Sequence, residues 1–364
     1  MKLKKPTLLL NKEICIRNIQ RMKAKADKNK LRFRPHFKTH QSAAVGEWFR
    51  EAGTNAITVS SVSMAKYFAA NGWDDITIAF PVNLAEIEEI NQLATNINLN
   101  LLIADHEVVK LLAAELANTV GIYLKVDTGY HRSGILVEYN SDILKLILNV
   151  QDFPLLQFKG LLVHNGHTYK TKSRQEIKTI HQNSLEKLVH LKKYLQNNQI
   201  DCEISMGDTP TMSVIENFDG IDEIRPGNFV FYDVMQVALG ACMADDIAVA
   251  MACPVVAKHM GRKEIVIYGG AIHLSKDFIQ GDDGSPIYGK IVLLNENGWG
   301  NVVPETYVKS VSQEHGIIKV NADFIDKVMI GDFIGVLPVH SCLAVNLMRE
   351  YYTLNGEKIE TMNS

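Results

Sequence analysis

From Asn11 to about Met235 the chain alternates between two hydrophobic periods. Apolar residues three and four apart predict amphipathic helices, and the short apolar runs between them predict buried strands. A helix over Glu13–Lys28 precedes the strand-like run Leu31–His40, and one over Ala43–Ala52 precedes Ala56–Ser60. Ser63 is placed to cap a helix through Ala70, ahead of a strand at Asp75–Phe80. The pairs continue as Leu84–Leu93 with Leu99–Ala104 and Glu107–Ala117 with Gly121–Asp127. Next come Ser141–Asn149 with Phe158–His164 and Glu176–Asn197 with Cys202–Met206; Asp222–Phe229 supplies an eighth strand. Eight strands separated by helices predict an α/β chain built on a (β/α)8 TIM barrel. A doubly wound open sheet explains the count of eight less naturally.

After Met235 the pattern changes. Ile247–Lys258, Glu264–Tyr268, Tyr288–Asn295, Thr306–Val311, His315–Val320 and Asp332–Leu337 are short and often β-branched, with turns such as Asn297-Gly298 between them. They predict a mainly β domain, a barrel or a sandwich, which Thr7–Leu10 joins as an N-terminal strand. The expected division is a barrel over residues 11–240 and a β domain made of residues 1–10 and 241–364.

The 364 residues are 46% hydrophobic and 22% charged, enough for one large and one smaller core. A formal net charge of -3 gives no general pull toward nucleic acid. No apolar run approaches a membrane span, and the start MKLKKPTLLLNKE turns polar too soon for a signal peptide. A cytoplasmic protein is expected. The five cysteines, Cys15, Cys202, Cys242, Cys253 and Cys342, have no spacing that marks a disulfide framework. No GxGxxG or GxxxxGK is present, which weakens nucleotide-binding readings.

The chemical signals fall at predicted strand ends. Lys38 closes Leu31-Arg-Phe-Arg-Pro-His-Phe-Lys38, where a barrel collects its catalytic groups. An amine there can form a Schiff base, helped by nearby cations such as Arg32 and Arg34; the bland alternative is a solvated lysine. Arg132 follows the fifth strand and can hold an oxyanion or carboxylate, while Asp127 is equally suited to capping the turn. His164, His167 and Tyr169 follow the sixth. Ser205, Gly207 and Thr209 form a turn after the seventh, and Gly227, Asn228 and Tyr232 another after the eighth. Such turns can cradle a phosphate with backbone N–H groups. Far along the chain, His340 and Cys342 offer an imidazole and a thiol, which suit zinc, although two ligands leave the shell to be completed by water or substrate. An ordinary buried histidine and cysteine is the competing reading.

Together these motifs resemble the fold-type III pyridoxal-phosphate enzymes of the D-serine dehydratase and D-threonine aldolase group. Arg34-Pro-His-Phe-Lys-Thr-His40 is similar to that family's cofactor-lysine segment, which implies a Schiff base at Lys38. The resemblance implies an alanine-racemase-like barrel with a β domain, in a homodimer. It places the cofactor phosphate on Ser205–Thr209 and Gly227-Asn228, Arg132 near the ring oxygen, and Tyr169 in the active site. His315 resembles a residue close to the active centre. Pro338-Val-His-Ser-Cys-Leu343 resembles the metal-binding segment, where dehydratase-like members carry His-x-Cys and the aldolases commonly His-x-Asp. The implied activity is elimination of water from a small D-3-hydroxyamino acid, with pyridoxal phosphate and zinc. Rivals are retro-aldol cleavage with His164 or His167 as base, racemisation (for which Lys125–Gly134 has some flavour), and a noncatalytic cofactor carrier.

Overall fold

The computed structural model describes residues 3–363. The chain divides into two compact units. One comprises Arg21–Lys38 and Phe49–Gly227; the other comprises the described parts of Met1–Gln20, Thr39–Trp48 and Asn228–Ser364.

The first unit is a ring of eight parallel strands. In chain order they are Arg32–Phe33, Ile57–Val59, Asp75–Pro81, Asn98–Ile103, Val120–Asp127, Leu156–Val163, Glu203–Met206 and Glu223–Ile224. From the second strand onward each pairs with the next, and the eighth pairs with the first through Glu223–Arg32 and Ile224–Phe33. A single parallel bridge between His36 and Thr58 completes the ring. The strands are the apolar runs of the sequence, buried from end to end in Val120–Asp127, as strands covered on both faces must be.

The helices between them follow the predicted periods. The helix Val62–Ala70 begins two residues earlier than expected: Ser61, not Ser63, is its cap, accepting from the Met64 N–H at 3.1 Å. The cap side chain reaches the third residue of the first turn, and only Ser61 stands at that offset.

In the long helix Arg174–Asn197, His181 is buried against Phe218, and neither ring nitrogen has a hydrogen-bond partner. Burial lowers its pKa from 6.5 to about 4. The unfolded chain therefore binds this proton first, so the contribution to stability is complete above pH 6.5 and is lost as the pH falls toward 4. The loss amounts to at most about 3 kcal/mol. His181→Leu is expected to flatten this acid-side decline, read as urea midpoints at neutral and mildly acidic pH. An unchanged pH slope would refute the assignment.

The second unit is built on a nine-stranded sheet. Six strands, Glu264–Tyr268, His315–Lys319, Gly298–Val311, Gly289–Asn295, Phe333–Pro338 and Val249–His259, pair in that order and close on one another. Thr7–Leu10 extends this sheet antiparallel to Val249–His259, and Glu350–Thr353 and Lys358–Glu360 follow. The strand Gly298–Val311 begins well before the predicted Thr306. Irregular register and a positive φ at Glu305 interrupt its alternation, so the period of two is visible only in its second half.

Candidate active site

Apart from Ser205, which lies within the strand Glu203–Met206, the functional side chains predicted in the barrel unit lie beyond the carboxyl ends of its strands. Lys38 is placed by its neighbours. Phe37 N–H donates to the Thr58 carbonyl at 2.9 Å and Thr58 N–H to the Pro35 carbonyl at 2.9 Å, which clamps this segment onto the second strand. The Phe37 ring, fully buried, packs on Phe49, Phe68 and Trp73. With Phe37 held inward, the next side chain is turned out, and Lys38 is exposed. The predicted strand is short, and Lys38 sits in the turn beyond it rather than at its last rung.

Arg32 and Arg34 do not serve as cationic neighbours of Lys38. Arg34, 1% exposed, bonds Glu223 at 2.7 Å and Asp75 at 2.6 Å; Arg32 bonds Glu203 and Glu223. Their charges are matched inside the ring. The same network claims Ser205, whose hydroxyl donates to Glu223 at 2.6 Å and accepts from Arg225 at 2.7 Å. Its side chain is therefore not available to a phosphate, contrary to the sequence expectation.

The turns after the fifth, sixth and seventh strands are tied together by buried hydrogen bonds. Asp127 caps its turn by accepting from the N–H groups of Gly129, Tyr130 and His131. Thr128 and Ser184 both donate to the Asn165 side-chain oxygen Oδ1 at 3.0 Å, and Thr168 donates to Asp208 at 2.9 Å. This lacing fixes an aromatic group: Tyr130 stacks on His167 with centroids 6.0 Å apart and stands edge-on to His164, and the Arg132 guanidinium lies 5.3 Å over the Tyr130 ring. A Cβ on Gly166 would strike that ring, which is why the loop carries glycine there.

His164 Nδ1 lies 2.5 Å from the Gly207 carbonyl. A carbonyl only accepts, so Nδ1 carries the proton and Nε2 keeps its lone pair. Burial, then the charges of Lys38 and Arg132, hold the His164 pKa well below its usual value. The imidazole is neutral, and it shares a field with the Lys38 amine and Arg132. His167 is also pushed down, chiefly by burial.

The phosphate-type turn is formed by Gly207, Thr209 and Gly227. Thr209 N–H donates to the Tyr169 hydroxyl at 3.2 Å and Gly227 N–H to the Thr209 hydroxyl at 3.3 Å. A Cβ on Gly207 would lie 2.8 Å from the Arg225 carbonyl, so only glycine allows the turn to lie this close. Two backbone donors on long bonds to hydroxyls, which can yield, fit a phosphate. An exposed amine, a guanidinium and a neutral imidazole on the same face fit the rest of an aldehyde cofactor.

Two residues here had no assigned role in the sequence reading. Burial, followed by the charges of Arg225 and Arg132, pushes the Lys125 amine down to about 7; it donates to the Val126 carbonyl at 2.8 Å. Arg225, buried behind the phosphate turn, also bonds the Val163 carbonyl at 2.6 Å. Both stood inside motifs already singled out, but their inward direction left no mark in the sequence.

The other unit holds Asn228, Tyr232, His340 and Cys342. His340 is the N-cap residue of the helix Ser341–Met348 and Cys342 lies in its first turn. The pair therefore stands at a helix start. Asn228 is turned toward this segment: its amide donates to Asp233 at 2.6 Å, to Ser341 at 2.9 Å and to the Cys342 sulfur at 3.6 Å. The Thr39 hydroxyl lies 3.2 Å from the same sulfur. Tyr232 is buried with φ +48 and closes a turn back to the Asn228 carbonyl. His315 lies exposed at the start of its strand.

Burial alone would lower the His340 pKa, but the hydrogen-bonded Cys342 sulfur and the Asp233 and Asp277 carboxylates outweigh it and push it up to about 10. Among the described residues no three His, Cys, Asp or Glu side chains gather as a metal cage. An imidazole in contact with a thiol still fits a metal held by two protein ligands, with open positions left for water and substrate.

A parallel eight-stranded barrel with a lysine and a phosphate-type turn at one end, followed by an antiparallel β unit, is the architecture of the fold-type III pyridoxal-phosphate enzymes. Residues 11–234 match the alanine racemase N-terminal domain and residues 248–354 the serine dehydratase domain, and the chain belongs to this family. It is 28% identical to D-serine dehydratase of Dictyostelium discoideum over 97% of this chain and 93% of the relative. It is 26% identical to D-threo-3-hydroxyaspartate dehydratase of Delftia sp. (strain HT23), over 93% of this chain and 90% of that one. The solved structure of the Delftia enzyme superposes with a TM-score of 0.91 over 100% of this chain and 98% of that one, at 25% identity. D-threonine aldolase from Filomicrobium marinum, 19% identical, shares the fold with a TM-score of 0.84, over 99% of this chain and 95% of that one. None of the helices in the described residues is long and apolar enough to cross a membrane.

Proposed function

We propose that this chain is a pyridoxal-phosphate- and metal-dependent lyase that eliminates water from small D-3-hydroxyamino acids, giving a 2-oxo acid and ammonia. The observation that carries the reading is the gathering of Lys38, Arg132, His164, Tyr169 and the Gly207–Thr209 turn at the carboxyl end of one barrel. Its similarity to two dehydratases over nearly the whole chain supports the reaction type.

Pyridoxal phosphate, when bound, supplies an electron sink for the charge left at the substrate α carbon. The Lys38 amine would hold the cofactor through its aldehyde and is the group suited to carry the α proton. Arg132, held over the Tyr130 ring, would meet the ring oxygen, and the backbone donors of Thr209 and Gly227 would receive the phosphate. Tyr169 braces that turn. His340 and Cys342 would hold the metal, zinc in this reading, which supplies Lewis acidity toward the β-hydroxyl. His164, neutral and with a free lone pair on Nε2, is suited to receive a proton from substrate, the step a retro-aldol cleavage would need.

The reading extends to a cytoplasmic homodimer, the family's usual form. The exposed Phe278, Met329 and Ile330 provide apolar surface for such an interface, and no disulfide joins cysteines among the described residues. Purified enzyme incubated with D-serine, D-threonine and D-threo-3-hydroxyaspartate, with 2-oxo acid, ammonia, glycine and aldehyde scored separately, tests the proposal. Oxo acid and ammonia in equal amounts are expected. Glycine with aldehyde and no oxo acid would replace the dehydratase reading with the aldolase one.

A further inference from the structure

The structure assigns Asp277 as the residue that positions His340 for its metal. The inference rests on the metal-dependent reading above and deepens it. Asp277 Oδ2 lies 2.7 Å from His340 Nδ1, so Nδ1 carries a proton and donates it to the carboxylate. The two nitrogens of an imidazole point away from each other. A carboxylate fixed on Nδ1 therefore cannot share a metal with Nε2, but it can hold the ring so that Nε2 and the Cys342 sulfur, the ring's other partner, stay together. Asp277 would act on the metal through His340 and not as a ligand.

Its own placement is built into the chain. The short helix Ala271–Leu274 ends at Ser275, which adopts φ +72, and the Ser275 hydroxyl accepts from Asp277 N–H at 3.1 Å. This turn aims the carboxylate at a histidine 63 residues further on. From the other direction, Asp233 fixes the backbone of the same segment by accepting from Ser341 N–H at 3.0 Å. One carboxylate thus holds the main chain beside the pair and the other holds the ring. With His340 and Cys342 as the ligands, the orientation of the ring sets much of the geometry offered to the metal.

The test is a titration of metal-stripped, cofactor-loaded enzyme with Co2+, followed by its thiolate charge-transfer band, and with Zn2+ in competition. Asp277→Ala is expected to weaken both metals about 10- to 100-fold while leaving the thermal midpoint of the metal-free protein unchanged, since the carboxylate is 42% exposed. Asp277→Asn, which keeps an acceptor for Nδ1–H, is expected to recover most of the affinity. Wild-type affinity in Asp277→Ala, or a loss that only follows a lowered thermal midpoint, would overturn the positioning role. Absence of any thiolate band in the wild type, with His340→Ala and Cys342→Ala alike, would instead overturn the metal reading itself.

Discussion

Lys38→Ala is expected to lose the near-visible absorbance of lysine-bound cofactor and to slow turnover of D-serine at least about 10^4-fold. The magnitude follows from the loss of two functions in one side chain. The amine is the only covalent anchor the proposal offers the cofactor, and it is the group that carries the α proton. Folding should be untouched. Lys38 is exposed, and the burial that shapes its turn belongs to Phe37, so the variant should unfold within about 0.5 kcal/mol of wild type. That separates a chemical loss from a structural one. Lys38→Arg sharpens the test, because it keeps the positive charge facing His164 but cannot form a Schiff base. Its activity should be as low as that of the alanine variant. A normal absorbance band in either variant would remove Lys38 from the centre of the proposal.

How far the site could be read from the sequence depended on whether a feature is local. The barrel was legible because each strand must be apolar on both faces and each helix on one, and both patterns lie within a dozen residues. The strand-end positions of Lys38, Arg132, His164 and Tyr169 followed from that alternation. Side-chain direction did not. On a two-residue strand such as Arg32–Phe33 the period of two cannot be established, so Arg34 was open to either face until Glu223 and Asp75 appeared beside it. Ser205 and Asn228 are similar cases. Their motifs were found, but both side chains turn toward partners distant in sequence, Glu223 for one and Ser341 and Cys342 for the other. Asp277 was invisible for the same reason. Its turn has no motif, and its meaning lies wholly in the imidazole it meets. The helix start at His340–Cys342 is a different case: a helix of eight residues with an apolar sequence has no amphipathic period to reveal it.

The second large effect expected is on stability. Glu223→Ala should destabilise the barrel unit by about 3–5 kcal/mol, read as a lower urea midpoint at unchanged m-value. Glu223 is fully buried, accepts from Arg34 at 2.7 Å and Ser205 at 2.6 Å, and forms an ion pair with Arg32 at 2.9 Å. Removing it leaves Arg34 with Asp75 as its remaining carboxylate, at 1% exposure, where water cannot replace the lost partner. Arg225 is affected as well. Burial already lowers its pKa to about 10, and Glu223 is the foremost charge opposing that fall. Because the Arg225 backbone packs closely against Gly207, the phosphate turn should loosen and cofactor should dissociate more readily, even at temperatures where the variant is folded. Glu223→Gln keeps one acceptor oxygen and no charge, and should fall between wild type and alanine. The exposed pair Lys145–Asp142 provides the contrast, since its removal should cost less than about 0.5 kcal/mol. If Glu223→Ala unfolded at the wild-type urea concentration, the buried network would be neutral to stability. Its retention would then have to be explained by the geometry it imposes on Ser205, Arg225 and the turn behind the cofactor.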